Sequence, residues 1–461
     1  MLAELVERLA VVESLDAAVG PIKDRRRGVG AGQLLVGLAQ CQLLDGKYWV
    51  ALDRQRADRA AQLLSVVPPI PATTAASLAR RFGPEQLAGV ETGNAAVVAR
   101  GYALLPPVRQ AVLRFGPVTI DMDSTDVEVY GSAKQGVAYN YCGQRAGRPH
   151  LATWAEAGLS LAADLLAGNE DVRPRAADLL GRALAALPAQ VRPDPIRPDP
   201  ICPDPIWPER RPVVRADTGY FSADLAWAAV DSGCDFAIAA KRNTAMWRVY
   251  AGIEADQWVD ATGMHGAQVA ACDYAPAGWP PDSYTIVRRV RIPAAKISSD
   301  PRSRRRRTLD KDQLALVLDG GADHAYAVSF IVTNLPVGGT GGADVRDVEA
   351  WFRRRTDIED RIREAKLGAG LNHLPSGHPE PNTVWMWAAL LAGNLSVLLQ
   401  AITGLDTDGR GRAHADRLRH EILRVPARLI RHARGLTLRL PPGPQLLPDV
   451  LAQLRALPPP H

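Results

Sequence analysis

Up to about residue 115 the apolar positions recur at spacings of three and four, the period of amphipathic helices. Residues 32–44 form one such segment, and TTAASLARRF (73–82) forms another, with Thr73 or Thr74 placed to cap it. Near Gly116 the period changes. The stretch PVTIDMDSTDVEVYGS alternates apolar with polar residues, as a strand does. Extended segments follow at about 151–155 and 159–165, then a helix at about 175–187. PVVRADTGY reads as a buried strand ending on an acidic residue. Ser222 caps a helix reaching about residue 232, and DFAIAAKRN is another buried strand.

Three strands, a helix, a strand, a helix and a strand make the element order of an RNase H-like core. The predicted fold is α/β: an RNase H-like mixed sheet flanked by helices, with a helical N-terminal domain (1–115) and a β-rich inserted subdomain. Residues 116–245 are the expected first part of the core, interrupted at 191–208 by a near-perfect repeat, VRPDPIRPDPICPDPIWP. Proline at this density blocks helix and sheet and favours an extended connector, read as an expanded surface loop. Residues 246–325 are less regular. They hold short strand-like pieces such as SYTIVRRVRIP and the run RSRRRR, and read as the inserted subdomain with an exposed basic loop. The core resumes over 326–405 with the buried strand AYAVSFIVTNLP, a helix from near Asp347 and the apolar helix TVWMWAALLAGNLSVLLQAI. That last helix reads as a buried core element and not as a membrane span. Residues 406–461 are an Arg-rich tail, helical at first, then Pro-rich and loose.

Composition narrows the class. The 461 residues give room for two or three units, and 47% hydrophobic with 23% charged residues suits an ordinary globular chain. A net charge of +5 is compatible with a polyanionic partner without requiring one. Cys41, Cys142, Cys202, Cys234 and Cys272 are odd in number and widely spaced, so a reducing compartment is expected and a disulfide framework or zinc knuckle is not. The first residues carry frequent charges and lack the apolar centre of a signal peptide, so the expected location is cytoplasmic, with no membrane partner. Lys47, Arg54, Arg56 and Arg59 lie close to Tyr48 and Trp49. That mixture suits contact with DNA, and equally suits a solvated helix face beside a core aromatic pair.

Four acidic residues are candidates for chemistry. Asp121 and Asp123 lie two apart on one strand and project from one face, with Val118, Ile120 and Met122 on the other. Adjacent carboxylates repel unless a cation or a proton relieves them. Asp217 ends the strand VVRAD, and ligands of open α/β sheets gather at the carboxyl ends of strands, although an aspartate there also caps turns. WFRRRTDIEDRIREAKLGAG reads as one helix, on which Phe352, Arg355, Glu359, Ile362 and Lys366 share a face. Glu364 lies about 140° around from Glu359 and points away. Such a face suits a helix presenting a carboxylate to a metal and cations to phosphates. Solvated i,i+4 pairs are the alternative.

The spacing Phe352-x2-Arg355-x3-Glu359-x6-Lys366 resembles the Tyr-x2-Arg-x3-Glu-x6-Lys motif of DDE transposases from bacterial insertion sequences, with Phe in place of Tyr. Asp123-Ser124-Thr125 resembles that family's first Asp block, and Arg215-Ala216-Asp217-Thr218-Gly219-Tyr220 its second. VEVYGSAKQG and LNHLPSG resemble the branch known as the 1380 type. The resemblance implies a transposase that cleaves the ends of an insertion sequence and transfers the freed 3′-hydroxyl into target DNA, with Asp123, Asp217 and Glu359 catalytic. It also implies two Mg²⁺ or Mn²⁺ ions, with Asp123 bridging both and Asp217 and Glu359 each holding one. Asp121 would be a support or an alternative metal ligand. Hard oxygen donors without His or Cys agree with these ions and not with zinc.

The implied partners are terminal inverted repeats and target DNA, bound by a homodimer in a nucleoid-associated location. Arg355, Lys366 and the run Arg304, Arg305, Arg306 and Arg307 are the expected phosphate contacts, along with the N-terminal helices and the Arg-rich tail. Two alternatives stay open: an RNase H-like nuclease without strand transfer, and an inactive transposase-derived DNA-binding protein. A glycosidase is remote, because neighbours on one strand lie too close to flank a sugar.

Overall fold

The computed structural model describes residues 1–24, 27–192, 211–300, 302–338, 343–407, 411–432, 435–443 and 446–459. The proline repeat from residue 193 onward lies outside them. The apolar spacing of the first 115 residues produces helices, among them α1 (Leu2–Arg8), α2 (Val11–Val19), α3 (Ala31–Leu43) and α4 (Pro84–Ala103). Their apolar faces, including Leu34, Leu35, Val97 and Val98, belong to the same core as the sheet. α2 and α4 cross closely at Gly89, where a Cβ would lie 2.5 Å from the Ala18 carbonyl oxygen.

The sheet starts with β1 (Thr119–Ser124), β2 (Arg145–Trp154) and β3 (Leu159–Ala167), each antiparallel to the one before. Helix α5 (Arg173–Ala186) leads towards β4 (Val213–Ala216), which lies parallel to β1 on its free side. Helix α6 (Ala223–Asp231) then leads to β5 (Asp235–Ala240), parallel to β4. The order β3–β2–β1–β4–β5 is that of an RNase H-like core, as the element order predicts.

Residues 246–325, expected as a β-rich inserted subdomain, supply strands that extend this sheet. β6 (Ala267–Cys272), β7 (Tyr284–Pro293) and β8 (His324–Thr333) are antiparallel neighbours, and β8 pairs with β5. Without β8, β5 would present an open edge of unpaired backbone groups.

The helices that follow include α7 (Val345–Arg353), α8 (Thr356–Arg363), α9 (Pro379–Thr403) and α10 (Leu446–Ala456). By length and composition α9 could cross a membrane, but 78% of its most apolar window is buried inside the protein. Asn394 on α9 and Asn94 on α4 meet at a bulge in β3. Asn394 Nδ2 donates to Asn94 Oδ1 at 2.9 Å, both amides donate to the Ser160 carbonyl, and Ser160 N donates to Asn394 Oδ1 at 2.8 Å. The tail is not loose: α10 packs on α1, where Arg8 Nη1 donates to the Leu457 carbonyl at 2.7 Å. Nor are all its arginines outward. Buried Arg419 donates to the carbonyls of Leu43, Gln42 and Gly368, capping the end of α3.

Beneath α7 lies a buried ion pair. Asp121 is 1% exposed, and Arg215, its neighbour across the β1–β4 register, grips both its oxygens, Nε at 2.6 Å and Nη2 at 2.8 Å. The remaining nitrogen, Nη1, donates to the Trp351 carbonyl at 2.5 Å, and the guanidinium stacks 4.8 Å from the Trp351 ring. Both Asp121 oxygens are thus engaged by Arg215 in a buried pair, so in this arrangement Asp121 acts as the partner of Arg215, and a metal ion would have to compete with that guanidinium. The face expected to be open is covered because Trp351 and Val348 of α7 pack on Val213 and Ala237. Buried Glu349 fastens α7 further by accepting from Arg288 of β7 at 2.7 Å.

Arg215→Met would leave the Asp121 charge buried and unpaired. It should lower the unfolding free energy by about 3–5 kcal/mol in urea titrations, and Asp121→Leu combined with Arg215→Met should recover much of the loss. A single variant as stable as the parent would contradict this account.

Candidate active site

The last registered pair of β1 and β4 is Met122 with Ala216, so the next residues, Asp123 and Asp217, emerge side by side at the carboxyl ends of two parallel strands. They share the parity of Asp121 and Arg215 and so face the side covered by α7 and α8. Asp123 Oδ1 accepts from Ser124 N at 2.7 Å, while Oδ2 faces Arg355 Nη1 at 3.6 Å. The side chain is only 15% exposed. Burial, followed by the charge of Asp217, pushes its carboxyl from 3.8 up to about 6, against the pull of Arg355 and the Ser124 amide. Asp217 also accepts from Gly219 N at 2.8 Å, capping the short turn Thr218–Tyr220.

The third element departs from the expected single helix. It breaks after Arg353, resumes as α8 at Thr356 and ends in a π-turn at Glu364–Gly368. At the break the chain tightens: Arg354 N donates to the Trp351 carbonyl and Arg355 N to the Phe352 carbonyl, while the Arg215 guanidinium also donates to Trp351 O.

The five expected face-mates consequently separate. Phe352 packs with the cluster under α7, and Ile362 enters the main core. Lys366 Nζ donates to Thr125 Oγ1 at 2.9 Å and the Asp126 carbonyl at 2.8 Å, clamping the chain that leaves β1. Arg355 and Glu359 stay together: Arg355 Nη2 lies 3.5 Å from Glu359 Oε1, so one guanidinium bridges Asp123 and Glu359. The Glu359 side chain is 60% exposed. Among the described residues, no three His, Cys, Asp or Glu side chains come together in a metal-binding group. Glu364 is turned elsewhere, accepting from Ala415 N at 2.9 Å and meeting His414 Nδ1 at 2.9 Å.

Of the basic run, the side chains of Arg304 and Arg305 lie outside the described residues. Arg306 donates to the Ser299 carbonyl and Arg307 is exposed. This turn precedes the bridge of Leu309 to Ala327, on the part of β8 that runs past the carboxyl end of β5. It therefore sits at the same end of the sheet as Asp123 and Asp217.

Sequence reasoning missed three buried residues around the carboxylates. Arg215 carried a signal, a charge inside the apolar run VVRA one register step from Asp121. Tyr220 is buried beside Asp123, Asp217 and Ser124; burial first, and then the two carboxylates, push its hydroxyl pKa well up. His150, opposite Ser124 on β2, packs 5.6 Å from the Tyr220 ring, and burial with the nearby Arg182 and Arg175 pulls it down to about 4, so it stays neutral. Tyr220 stands inside the second Asp block without a role being assigned to it there, and no local pattern marks His150.

Residues 317–459 match the family model described as transposase DDE domain group 1. The matched stretch includes Arg355, Glu359 and Lys366, while Asp123 and Asp217 precede it. No curated protein matches the chain. Among solved structures, the chain is similar to a piggyBac transposase in its synaptic complex with hairpin DNA, determined by cryo-EM. The identity is 9% and the TM-score 0.38, over 91% of this chain and 78% of that one.

The raised carboxyl of Asp123 has a consequence for stability. Its stabilising contribution is present below the ordinary value of 3.8 and lost as pH rises through about 6. The metal-free protein at neutral pH is therefore penalised by on the order of 2–3 kcal/mol. Asp123→Asn should raise the melting temperature in EDTA at neutral pH, with the gain shrinking as pH falls from about 6 towards 4. A variant that melts lower than the parent at neutral pH would count against the crowding of Asp123 and Asp217.

Proposed function

We propose that this chain is a DDE transposase that cuts the ends of an insertion sequence and joins the freed 3′-hydroxyl to target DNA, using Asp123, Asp217 and Glu359. The observation that carries the reading is the juxtaposition of Asp123 and Asp217 at the carboxyl ends of adjacent parallel strands, below a helix within the stretch matching the transposase domain. The donor set fits hard divalent ions. Asp123 and Asp217 offer only carboxylate oxygens, and their mutual repulsion is what a cation relieves. Asp123 and Asp217 would hold Mg²⁺ or Mn²⁺, and Glu359 would join when its link to Arg355 opens. When bound, such ions stabilise charge at phosphorus and acidify an attacking water.

The chain's own residues supply position and charge. Lys366 fixes the segment after Asp123, and the Asp121–Arg215 pair holds α7, so both Asp123 and Arg355 start from rigid supports. Arg355, the basic turn at 304–308 and the exposed N-terminal arginines would meet the DNA backbone, positioning the duplex without reading its sequence. The 1380-type motifs favour terminal inverted repeats as the cleaved substrate, bound by a homodimer on DNA. The exposed position of Glu359 favours one second reading, a DNA-binding derivative without activity.

Cleavage and joining assays on duplexes carrying the element's ends distinguish the two. With Mg²⁺ or Mn²⁺ the parent should cleave and join, and EDTA should abolish both. Glu359→Gln should cut at least about a hundredfold more slowly while binding duplex normally, the loss expected when several kcal/mol of charge stabilisation is removed. Glu364→Gln should leave cleavage nearly unchanged. A Glu359→Gln protein that cuts at the parent's rate would remove Glu359 from the site, and a parent that binds without cutting would establish the second reading.

A further inference from the structure

The tail of the chain carries a small sheet of its own. Strands β9 (Arg428–His432) and β10 (Gly435–Arg439) pair antiparallel with each other and, among the described residues, with no other strand. None of their residues is buried. An isolated hairpin is at best marginally stable in water. Here the register adds a cost, because Arg428 lies directly opposite Arg439 and both side chains leave the same face. The segment supplies no counter-charge. Residues 422–448 hold five arginines and no Asp or Glu, and Arg428, Arg431 and Arg439 have no ion pair among the described residues. Alternation gives the hairpin two unlike faces. Leu429 and its partner Leu438 are partly buried on one; on the other all but Ile430 are exposed, Arg428, His432, Thr437 and Arg439 among them.

The root of the hairpin is tied to the turn that steadies the site. Arg424 donates to the Leu44 carbonyl, and buried Arg419 joins the carbonyls of Leu43 and Gly368. Gly368 ends the π-turn that carries Lys366, and Lys366 holds Thr125 and Asp126, just after Asp123. Facing guanidiniums without an internal partner call for an external anion, and phosphate is the acceptor their fork geometry fits. Shape narrows the partner further. The major groove of DNA, about 12 Å wide, admits a ribbon of two strands, and the phosphates along its edges present charge in rows. Residues 422–448 contain no Phe, Tyr or Trp, so the hairpin offers no indole or phenyl face on which unpaired bases would stack. Charge, width and the lack of such rings together favour a duplex over a single strand.

We propose that the hairpin 428–439 is a β-ribbon that docks on duplex DNA, with Arg428 and Arg439 taking phosphates of its backbone. The inference rests on the DNA-processing reading above, and its test is independent of catalysis. Binding of the full-length protein to a fluorescent mixed-sequence duplex is measured by polarisation in EDTA over a salt series, and sedimentation follows self-association. Arg428→Gln combined with Arg439→Gln should weaken duplex binding by about tenfold at physiological salt and lower the slope of log affinity against log salt by about 2. The same variant should melt no lower than the parent, since it removes two facing like charges and no internal pair. Arg428→Lys combined with Arg439→Lys keeps the charge and should keep the salt slope. Duplex affinity and slope unchanged in the glutamine variant overturn the proposal. So does an equal loss in the lysine variant, marking a structural role, and so does lost self-association with duplex binding intact, marking an interface between copies. A parent that never cuts, yet binds duplex through Arg428 and Arg439, would refute the catalytic reading and leave the ribbon standing. A parent that cuts, with a glutamine variant that binds as it does, would refute the ribbon alone.

Discussion

The arrangement of the site depends on one buried ion pair. Asp121 and Arg215 sit one step inside the two strands that end in Asp123 and Asp217, and their bidentate contact ties those strands together at the level where the carboxylates emerge. The same guanidinium donates to the Trp351 carbonyl, at the end of α7 where the helix breaks after Arg353. A single side chain thereby joins both strands to the turn between α7 and α8. Burying two charges is costly unless each polar atom finds a partner, and here the pairing, the carbonyl and the Trp351 ring meet that condition together.

The break in the helix decides what the third carboxylate can do. Had the helix continued, Arg355, Glu359 and Lys366 would line one face, and all three would reach the same space. Instead Lys366 is drawn under the chain leaving β1, while Arg355 lies between Asp123 and Glu359. In the described arrangement the positive charge nearest the two aspartates is the protein's own. Any cation that enters there competes with Arg355, whose guanidinium at 3.6 Å pulls the Asp123 carboxyl down against burial first and the charge of Asp217 second.

The half of the sheet that carries Asp123 and Asp217 was legible because its periodicities are local. The alternation around Asp123, the apolar run ending at Asp217 and the apolar spacing of α9 each declare themselves within a short stretch of chain. What escaped depends on partners distant in sequence. Asp121 looks like a second site carboxylate until Arg215 is placed opposite it. SYTIVRRVRIP looks like part of a separate unit because its polar arginines mask an interior strand: Arg288 is neutralised by Glu349, and Arg289 lies over the rings of Trp258 and Tyr326. Arg419, read as part of a basic tail, is a buried cap for α3. In each case a charged residue was assigned to solvent or ligand when another part of the chain already answered it.

The two asparagines at the bulge in β3 have a mechanical consequence. Asn94 belongs to the N-terminal helices, Asn394 to the long core helix and Ser160 to the sheet, and their shared hydrogen bonds fasten the helical region to the sheet that bears the carboxylates. A ligand long enough to touch both regions meets surfaces tied together at this point. Such a ligand has to supply the bending itself, so the energy of fit is charged to its own elasticity, and a pliable partner is favoured over a stiff one of identical surface chemistry.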